Sequence, residues 1–409
     1  MNKQYKLICG NSIEELKQFP DNHFDSIVTD PPYELGFMGK SWDSTGIAYN
    51  EELWSECFRV LKPGGHLIAF SGSRTYHRMA VAIENSKFEI RDQMMWIYGT
   101  GFPKSLNISK AIDKKFGAER EIIGINKTNL TVYQAIGETN TSGTINITAP
   151  STEQAKQWDG WGTALKPAHE PMVLARKPLS EKTVAENVLK WGVGGLNIDG
   201  CKVGSEIRTT PINSLDKRED EDSLFDSLHT HIQRKRIELN TGRFPANLIH
   251  DGSEEVESVF PNSKGARSQN NNSNINIYQG QSLHNSNSTL NGFREWYNDS
   301  GSASRYFYCA KASKKDRNDG FKDGSVEDKF TTKPSANNHP TVKPTDLMAY
   351  LCRLVTPPNG LILDPFNGSG STGKAAMREN FNYVGIDLSQ EYLDISKARI
   401  DNEINKKKK

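Results

Sequence analysis

Apolar positions recur along the chain in two periods, one of strands and one of helices. Phe24-Asp25-Ser26-Ile27-Val28-Thr29, Tyr5-Lys6-Leu7-Ile8 and His66-Leu67-Ile68-Ala69-Phe70 read as strands, and Leu361-Ile362-Leu363, with no polar alternation, as a strand buried on both faces. Between Glu51 and Leu61, the residues Leu53, Trp54, Cys57, Phe58 and Leu61 share one helical face, and Lys62-Pro63-Gly64-Gly65 is expected to stop that helix before the next strand. Asn11-Ser12-Ile13-Glu14-Glu15-Leu16 carries a capping-box pattern, with Ser12 as N-cap and Glu15 three residues on, so a helix should follow the first strand directly. Thr345 is expected to cap another helix, with Leu347, Tyr350, Leu351 and Leu354 on one face and Pro357-Pro358 ending it. Strand, helix, turn and strand make the unit of a doubly wound α/β fold with a mainly parallel sheet, and the apolar residues of these helices are expected in its core.

Two strand ends carry chemistry. Asp30-Pro31-Pro32-Tyr33 follows the run Phe24 to Thr29. A planar exocyclic amine is a poor nucleophile because its lone pair is delocalised into the ring, so catalysis must supply acceptors to its hydrogens as the nitrogen pyramidalises. The Asp30 carboxylate and the carbonyl of a stiff proline offer two such acceptors. Tyr33 can stack on a base taken out of a duplex, offsetting part of an unstacking cost of a few kcal/mol. A strand ending in a plain proline turn has the same sequence signal. At the second strand end, Asp364-Pro365-Phe366-Asn367-Gly368-Ser369-Gly370-Ser371-Thr372-Gly373 reads as a glycine-rich loop opening a helix. Glycines let backbone approach a nucleotide closely, and the strand Asn382 to Asp387 ends in a carboxylate suited to ribose hydroxyls. Gly368, Gly370 and Gly373 also satisfy a dinucleotide fingerprint. Only 36 residues follow Gly373, too few for the rest of a dinucleotide-binding domain, so another part of the chain must complete the sheet.

Asp-Pro-Pro-Tyr early and Asp-Pro-Phe-x-Gly-Ser-Gly late resembles the β group of S-adenosylmethionine-dependent DNA amino-methyltransferases, of the site-specific phage or prophage type. The resemblance implies a methyltransferase-type doubly wound sheet with circularly permuted motif order: a catalytic half at 1–178, an inserted target-recognition region at 179–335 and a cofactor-binding half at 336–409. It implies that Asp30, Pro31, Pro32 and Tyr33 are catalytic. It places Asp364, Phe366, Gly368, Ser369, Gly370 and Thr372 in the cofactor loop, Asp387 on the ribose, and Thr341 and Lys343 of His339-Pro340-Thr341-Val342-Lys343-Pro344 near the methionine end of S-adenosyl-L-methionine. Asn11 stands where the family usually has Asp beside the cofactor's adenine; an amide can accept or donate there. The implied reaction is methylation of adenine N6 in double-stranded DNA. Within the family, Asp at the first motif position leans towards adenine and Ser towards cytosine, and cytosine N4 is the alternative. Glutamine methyltransferases with a related motif place the cofactor loop first, unlike this chain, and a catalytically silent DNA-binding relative is the reading of a different class.

Composition adjusts the picture modestly. The chain has 409 residues, 25% charged and 35% hydrophobic, with a net charge of +1, so any grip on phosphates must be local. Arg234-Lys235-Arg236 and the set Lys311, Lys314, Lys315 and Arg317 beside Tyr306-Phe307-Tyr308 are candidate phosphate contacts, with a solvated face as their default. Arg243 in Gly242-Arg243-Phe244-Pro245-Ala246-Asn247, a stretch also found in similar phage-type methylases, either meets DNA or makes a structural salt bridge. Five scattered cysteines give neither zinc spacing nor a Pro-Cys nucleophile, so no metal is expected and transfer goes directly to an amine. A polar start and the lack of a spanning apolar run point to a soluble cytoplasmic protein without a membrane partner. His169 to Lys177 resembles the last strand of the catalytic half. The Thr/Asn/Gly-rich stretch 124–157 reads as an insertion or mobile loop, and the Ser/Asn-rich tract 263–291 as flexible. A homodimer and a cognate restriction endonuclease are the further partners the resemblance allows.

Overall fold

The computed structural model describes residues 5–36, 41–99, 101, 105–127, 144–204, 207–211, 236–240, 242–264, 300–311, 313–321, 337, 339 and 341–407. Arg234, residues 128–143 of the insertion and all but the start of the tract 263–291 lie outside the described residues.

Nine strands form one sheet: β1 (Tyr5–Cys9), β2 (Phe24–Thr29), β3 (Leu61–Phe70), β4 (Glu89–Ile97), β5 (His169–Arg176), β6 (Leu248–His250), β7 (Tyr308–Cys309), β8 (Leu361–Asp364) and β9 (Asn382–Asp387). Their spatial order is β1-β9-β8-β2-β3-β5-β4-β6-β7, and only β5 runs against its neighbours. The doubly wound, mainly parallel α/β architecture is as expected, and the two ends of the chain complete one sheet. Alternation sorts the strands' apolar residues onto two faces. Val28, Ile68, Phe70 and Ile362 pack with the helices Thr345–Val355 and Ser371–Arg378, while Ile27, Leu67, Ala69 and Leu363 pack with Leu16, Leu53, Trp54 and Met79 on the other side. Each such buried Leu or Ile contributes about 1.5–3 kcal/mol relative to exposure.

Three local expectations shift by a residue or more, two because a side chain finds a distant partner and one because the backbone does. Asn11, not Ser12, caps the first helix, accepting the Ile13 N–H at 2.9 Å. Ser12 is the helix's first residue, and its hydroxyl donates to the Pro365 carbonyl at 2.6 Å. Thr345 likewise begins its helix rather than capping it, its hydroxyl and N–H both donating to Asp316. Lys62-Pro63-Gly64-Gly65 does not precede β3 but lies within it. The pairing steps from Phe24 opposite Leu61 to Ser26 opposite His66, and Gly64 and Gly65 exchange backbone hydrogen bonds with Lys177. The flanks of the 124–157 stretch are also more regular than a loop, since Ile122–Lys127 and Thr144–Thr148 form an antiparallel ribbon.

β6 and β7 come from the 179–335 stretch yet extend the main sheet, β6 pairing with β4 and β7 with β6. Among the described residues no helix is long and apolar enough to cross a membrane.

His66 on β3 is buried with its Nδ1 unpartnered, and burial, aided by the charges of Arg176 and Arg91, holds its imidazole down at about 4. The folded value lies below the unfolded one of about 6.5, so the fold favours the neutral ring. Its stabilising contribution is complete above that unfolded value and is lost as pH falls towards 4, up to about 3 kcal/mol. Thermal melts between pH 7 and pH 4 should show a shallower loss of stability in His66→Gln than in the natural protein; equal slopes would remove His66 from the acid response.

Candidate active site

In an open, mainly parallel sheet, ligands collect beyond the carboxyl ends of the strands where the winding changes direction. That place lies between β8 and β2. The chain leaves β8 for β9 on one side and leaves β2 for β3 on the other. Ile362 pairs with Ser26 and Leu363 with Ile27, so the two motif-bearing strand ends emerge side by side. The Thr29 hydroxyl donates to Asp364 Oδ1 at 2.7 Å, tying them together.

At the β2 end, Asp30 belongs to a compact polar network. Lys343 Nζ lies 2.6 Å from Asp30 Oδ2 and 3.2 Å from Glu170 Oε2. The Tyr33 hydroxyl sits 3.0 Å from both Asp30 Oδ1 and Glu170 Oε2, its one proton shared between two carboxylates. The Lys343 ammonium is 5.3 Å from the centroid of the Tyr33 ring and 5.0 Å from that of Phe70. Lys343 is only 6% exposed. Burial alone would lower its ammonium, but the adjacent Asp30 and Glu170 outweigh this and hold it above the usual lysine range. Burial raises the Tyr33 phenol well above its ordinary value, and the same carboxylates push it further. The Thr75 hydroxyl holds the backbone by donating to the Tyr33 carbonyl at 2.8 Å.

At the β8 end, loop and helix are built on a left-handed turn. Gly368 has φ +47° and Gly370 φ +73°. The Gly368 N–H donates to Asp387 Oδ2 at 2.7 Å and the Ser389 N–H to Asp387 Oδ1 at 2.9 Å, fixing the carboxylate at the end of β9. Burial raises the Asp387 carboxyl, against those two donors. Asp364 is buried beneath the loop, where its Oδ1 also accepts the Phe366 N–H at 3.1 Å and its Oδ2 the Tyr383 hydroxyl at 3.3 Å. Burial pushes its carboxyl up to about 6 despite donors that favour the charge. A Cβ at Gly370 would stand 2.1 Å from Ser396 Oγ and 3.0 Å from Ser396 Cα. Gly370→Ala is therefore expected to destabilise the protein by about 1–3 kcal/mol, through strain at positive φ and the clash, read as a lower unfolding midpoint.

Both strand ends open into one cavity of about 1630 Å³. Asp30, Pro31, Pro32 and Tyr33 line it together with Glu170 and Lys343, and so do Asn11, Thr341, Phe366 and Asp387. Asp364, Gly368, Ser369, Gly370 and Thr372 do not; the Gly368 N–H holds Asp387, Arg399 donates to the Ser369 carbonyl, and Thr372 hydrogen-bonds Asp364 beneath the loop. The structure thus brings all four expected catalytic residues and five of the expected cofactor residues to one wall. His339 joins them, its imidazole held down at about 3 by burial first and by the charge of Lys343, which leaves its Nδ1 to accept the Thr341 N–H.

Among the described residues, none of the basic candidates lines this cavity. Arg243 is half-buried, donates to the Arg305 carbonyl at 3.0 Å and lies 4.7 Å from the Tyr306 ring centroid. Arg317 donates to the His339 carbonyl at 2.8 Å instead of lying on a solvated basic face. Lys315 is exposed on the short helix Lys314–Arg317, and the side chains of Lys314 and Arg236 lie outside the described residues. Sequence reasoning missed Glu170, whose signal was a carboxylate at the head of the apolar strand Met172 to Ala175, at the same strand end as Pro171. It also missed the grouping of His250, Glu257 and Cys309, whose ligand atoms lie within 4.8 Å of one another, although His250 Nδ1 there already accepts the Gly252 N–H.

A model of the N6/N4 methylase family, described as DNA methylase, matches residues 24–398. The chain belongs to this DNA methylase family. Methylase relatives include the Type II methyltransferase M.Cfr9I of Citrobacter freundii, 35% identical over 100 residues that make up 24% of this chain and 33% of that protein. Another is the Type II methyltransferase M.HpaI of Haemophilus parainfluenzae, 32% identical over 114 residues, 26% of this chain and 36% of that one. The chain thus spans about a third of the length of these curated relatives. Among solved structures, the M1.HpyAVI–SAM complex aligns over 97% of this chain and 99% of its own, at 14% identity and a TM-score of 0.38.

Proposed function

We propose that this DNA methylase transfers the methyl group of S-adenosyl-L-methionine to the N6 amine of adenine in double-stranded DNA. The observation that carries the reading is the single cavity shared by Asp30-Pro31-Pro32-Tyr33 and the loop-and-carboxylate wall of Asn11, Phe366 and Asp387. At about 1630 Å³ it exceeds the roughly 300–1,000 Å³ of common ligand pockets, leaving room for a cofactor and an extruded nucleotide together. Asp387, held by two backbone N–H groups, suits the ribose hydroxyls, and Asn11 and Phe366 the adenine of the cofactor. The bound cofactor supplies an electrophilic methyl on a sulfonium. Asp30 and the Pro31 carbonyl accept from the target amine and orient its nitrogen, so positioning and polarisation are their main work.

An Asp at the head of the motif favours adenine; cytosine N4 is the second reading, since both amines pose the same chemical problem. In the division of labour that goes with this proposal, 1–178 carries catalysis, 179–335 target recognition and 336–409 the cofactor. Incubation with labelled S-adenosylmethionine and mixed genomic DNA, followed by digestion and mass spectrometry of the nucleosides, tests the reading. N6-methyladenine is expected, N4-methylcytosine would move the substrate, and no methylated base would overturn the activity.

A further inference from the structure

The network at Asp30 holds two carboxylates where the motif supplies one. Asp30 is engaged at both oxygens, by the Lys343 ammonium at Oδ2 and the Tyr33 hydroxyl at Oδ1. Glu170 shares both of those partners through Oε2 alone, and among the described residues its Oε1 accepts no hydrogen bond although the side chain lines the cavity. The closer ion pair belongs to Asp30, 2.6 Å against 3.2 Å, so Lys343 fixes the Asp30 carboxylate more firmly than that of Glu170. With one lysine and two carboxylates, the centre carries an excess negative charge matched to a cationic reactant.

We infer that Glu170 is a catalytic residue, the acceptor of the proton that the methylated amine must lose, while Asp30 remains the group that orients the amine. The inference rests on the amine-methylation reading above. As the nitrogen lone pair forms the N–C bond, the S–C bond breaks and its electron pair stays on sulfur. The nitrogen is left cationic, with one hydrogen too many, and that proton passes to Glu170 Oε1, which then releases it to solvent through the open cavity. The positive charge thus moves from sulfonium to amine to proton within reach of the same negative centre. Among the described residues, the charged and titratable groups facing Glu170 are Asp30 and Tyr33 after β2, Tyr98 after β4 and Lys343 ahead of the helix Thr345–Val355. Tyr98 feels Glu170 in turn: burial, then that carboxylate, pushes its phenol up to about 12.

Glu170→Gln separates the two roles, because an amide oxygen still accepts from Tyr33 and Lys343 but cannot take the proton. Single-turnover transfer to genomic DNA is expected to slow by about 10²-fold, within the usual range for a lost general base. Its fall on the acid side of the pH profile should become shallower, while S-adenosylmethionine affinity by calorimetry stays within about twofold and the melting midpoint is unchanged. A variant with near-natural rate and an unaltered pH profile would overturn the assignment, as would a slow variant whose cofactor affinity or midpoint falls in step. If Glu170→Gln does not fold, Glu170→Asp takes its place: it keeps the carboxylate, and must keep the acid-side fall at reduced rate, a lost fall counting against the proposal. The natural protein and Asp30→Ala run alongside; if the natural protein methylates no base, the activity itself is refuted, whereas a fully active Glu170→Gln refutes the role of Glu170 alone.

Discussion

Asp30→Ala should cut methyl transfer by about 10²–10³-fold or more while leaving the fold in place, the loss typical when a preorganised acceptor or donor is removed from the reacting group. The carboxylate sits at the end of β2 with its orientation set twice, by Lys343 and by the Tyr33 hydroxyl. On the proposed mechanism the amine then loses the acceptor that localises its lone pair, and Lys343 keeps Glu170 as its partner, so the wall changes shape as well as charge. The buried ammonium keeps one partner at 3.2 Å, which is why collapse of the fold is not expected. Single-turnover transfer from labelled S-adenosylmethionine measures the rate and calorimetry the cofactor affinity. A folded variant with near-normal turnover would refute the mechanism.

Lys374→Met should destabilise the protein by about 3–5 kcal/mol, the range for breaking a buried ion pair from one side. Lys374 lies in the helix Ser371–Arg378 with its side chain 1% exposed, and its Nζ is 2.8 Å from Asp316 Oδ1 and 2.7 Å from Asp319 Oδ2. Asp319 is held down at about 2: burial would raise it, and Lys374 with Lys406 outweighs that effect. Removing the ammonium leaves Asp316 with only the donors of Thr345 and Asp319 with Lys406 and Asn402, two largely buried acids that have lost the cation between them. Asp316 also receives the N–H and hydroxyl of Thr345, so the helix ahead of β8 loosens too. Denaturant titration of Lys374→Met gives the cost, and adding Asp319→Asn should recover part of it because the repulsion between the two neighbouring acids is then gone. A single variant as stable as the natural protein would show that solvent already neutralises these acids.

The motifs were legible because each joins a strongly apolar strand to residues with fixed backbone habits. Prolines after Asp30 restrict the backbone, and glycines after Asn367 allow the left-handed turn that other residues avoid, so sequence alone placed the two strand ends and the need for them to meet. Helix caps were less legible. Ser12 and Thr345 have the right chemistry to cap, but their hydroxyls are drawn away by Pro365 and Asp316, partners hundreds or tens of residues distant. Glu170 was invisible as a candidate site residue for the same reason: its place comes from sharing Tyr33 and Lys343 with Asp30, a relation between three separated segments. β6 and β7, of three and two residues, are too short to announce themselves by periodicity, so their joining the main sheet could not be read from the 179–335 stretch.

The pairing of β2 with β8 has a consequence on the ribosome. Thr29 and Asp364, which hydrogen-bond in the finished sheet, are 335 residues apart. At the usual 5–20 residues per second, on the order of 20–70 s of synthesis separates the emergence of the two strands. Throughout that interval β2, buried along its whole length in the native state, has one edge without its eventual neighbour. A nascent chain of this kind is exposed to mispairing with other chains for as long as translation lasts. Its yield in the cell should therefore depend on chaperone capacity and on translation speed far more than the stability of the completed fold would suggest.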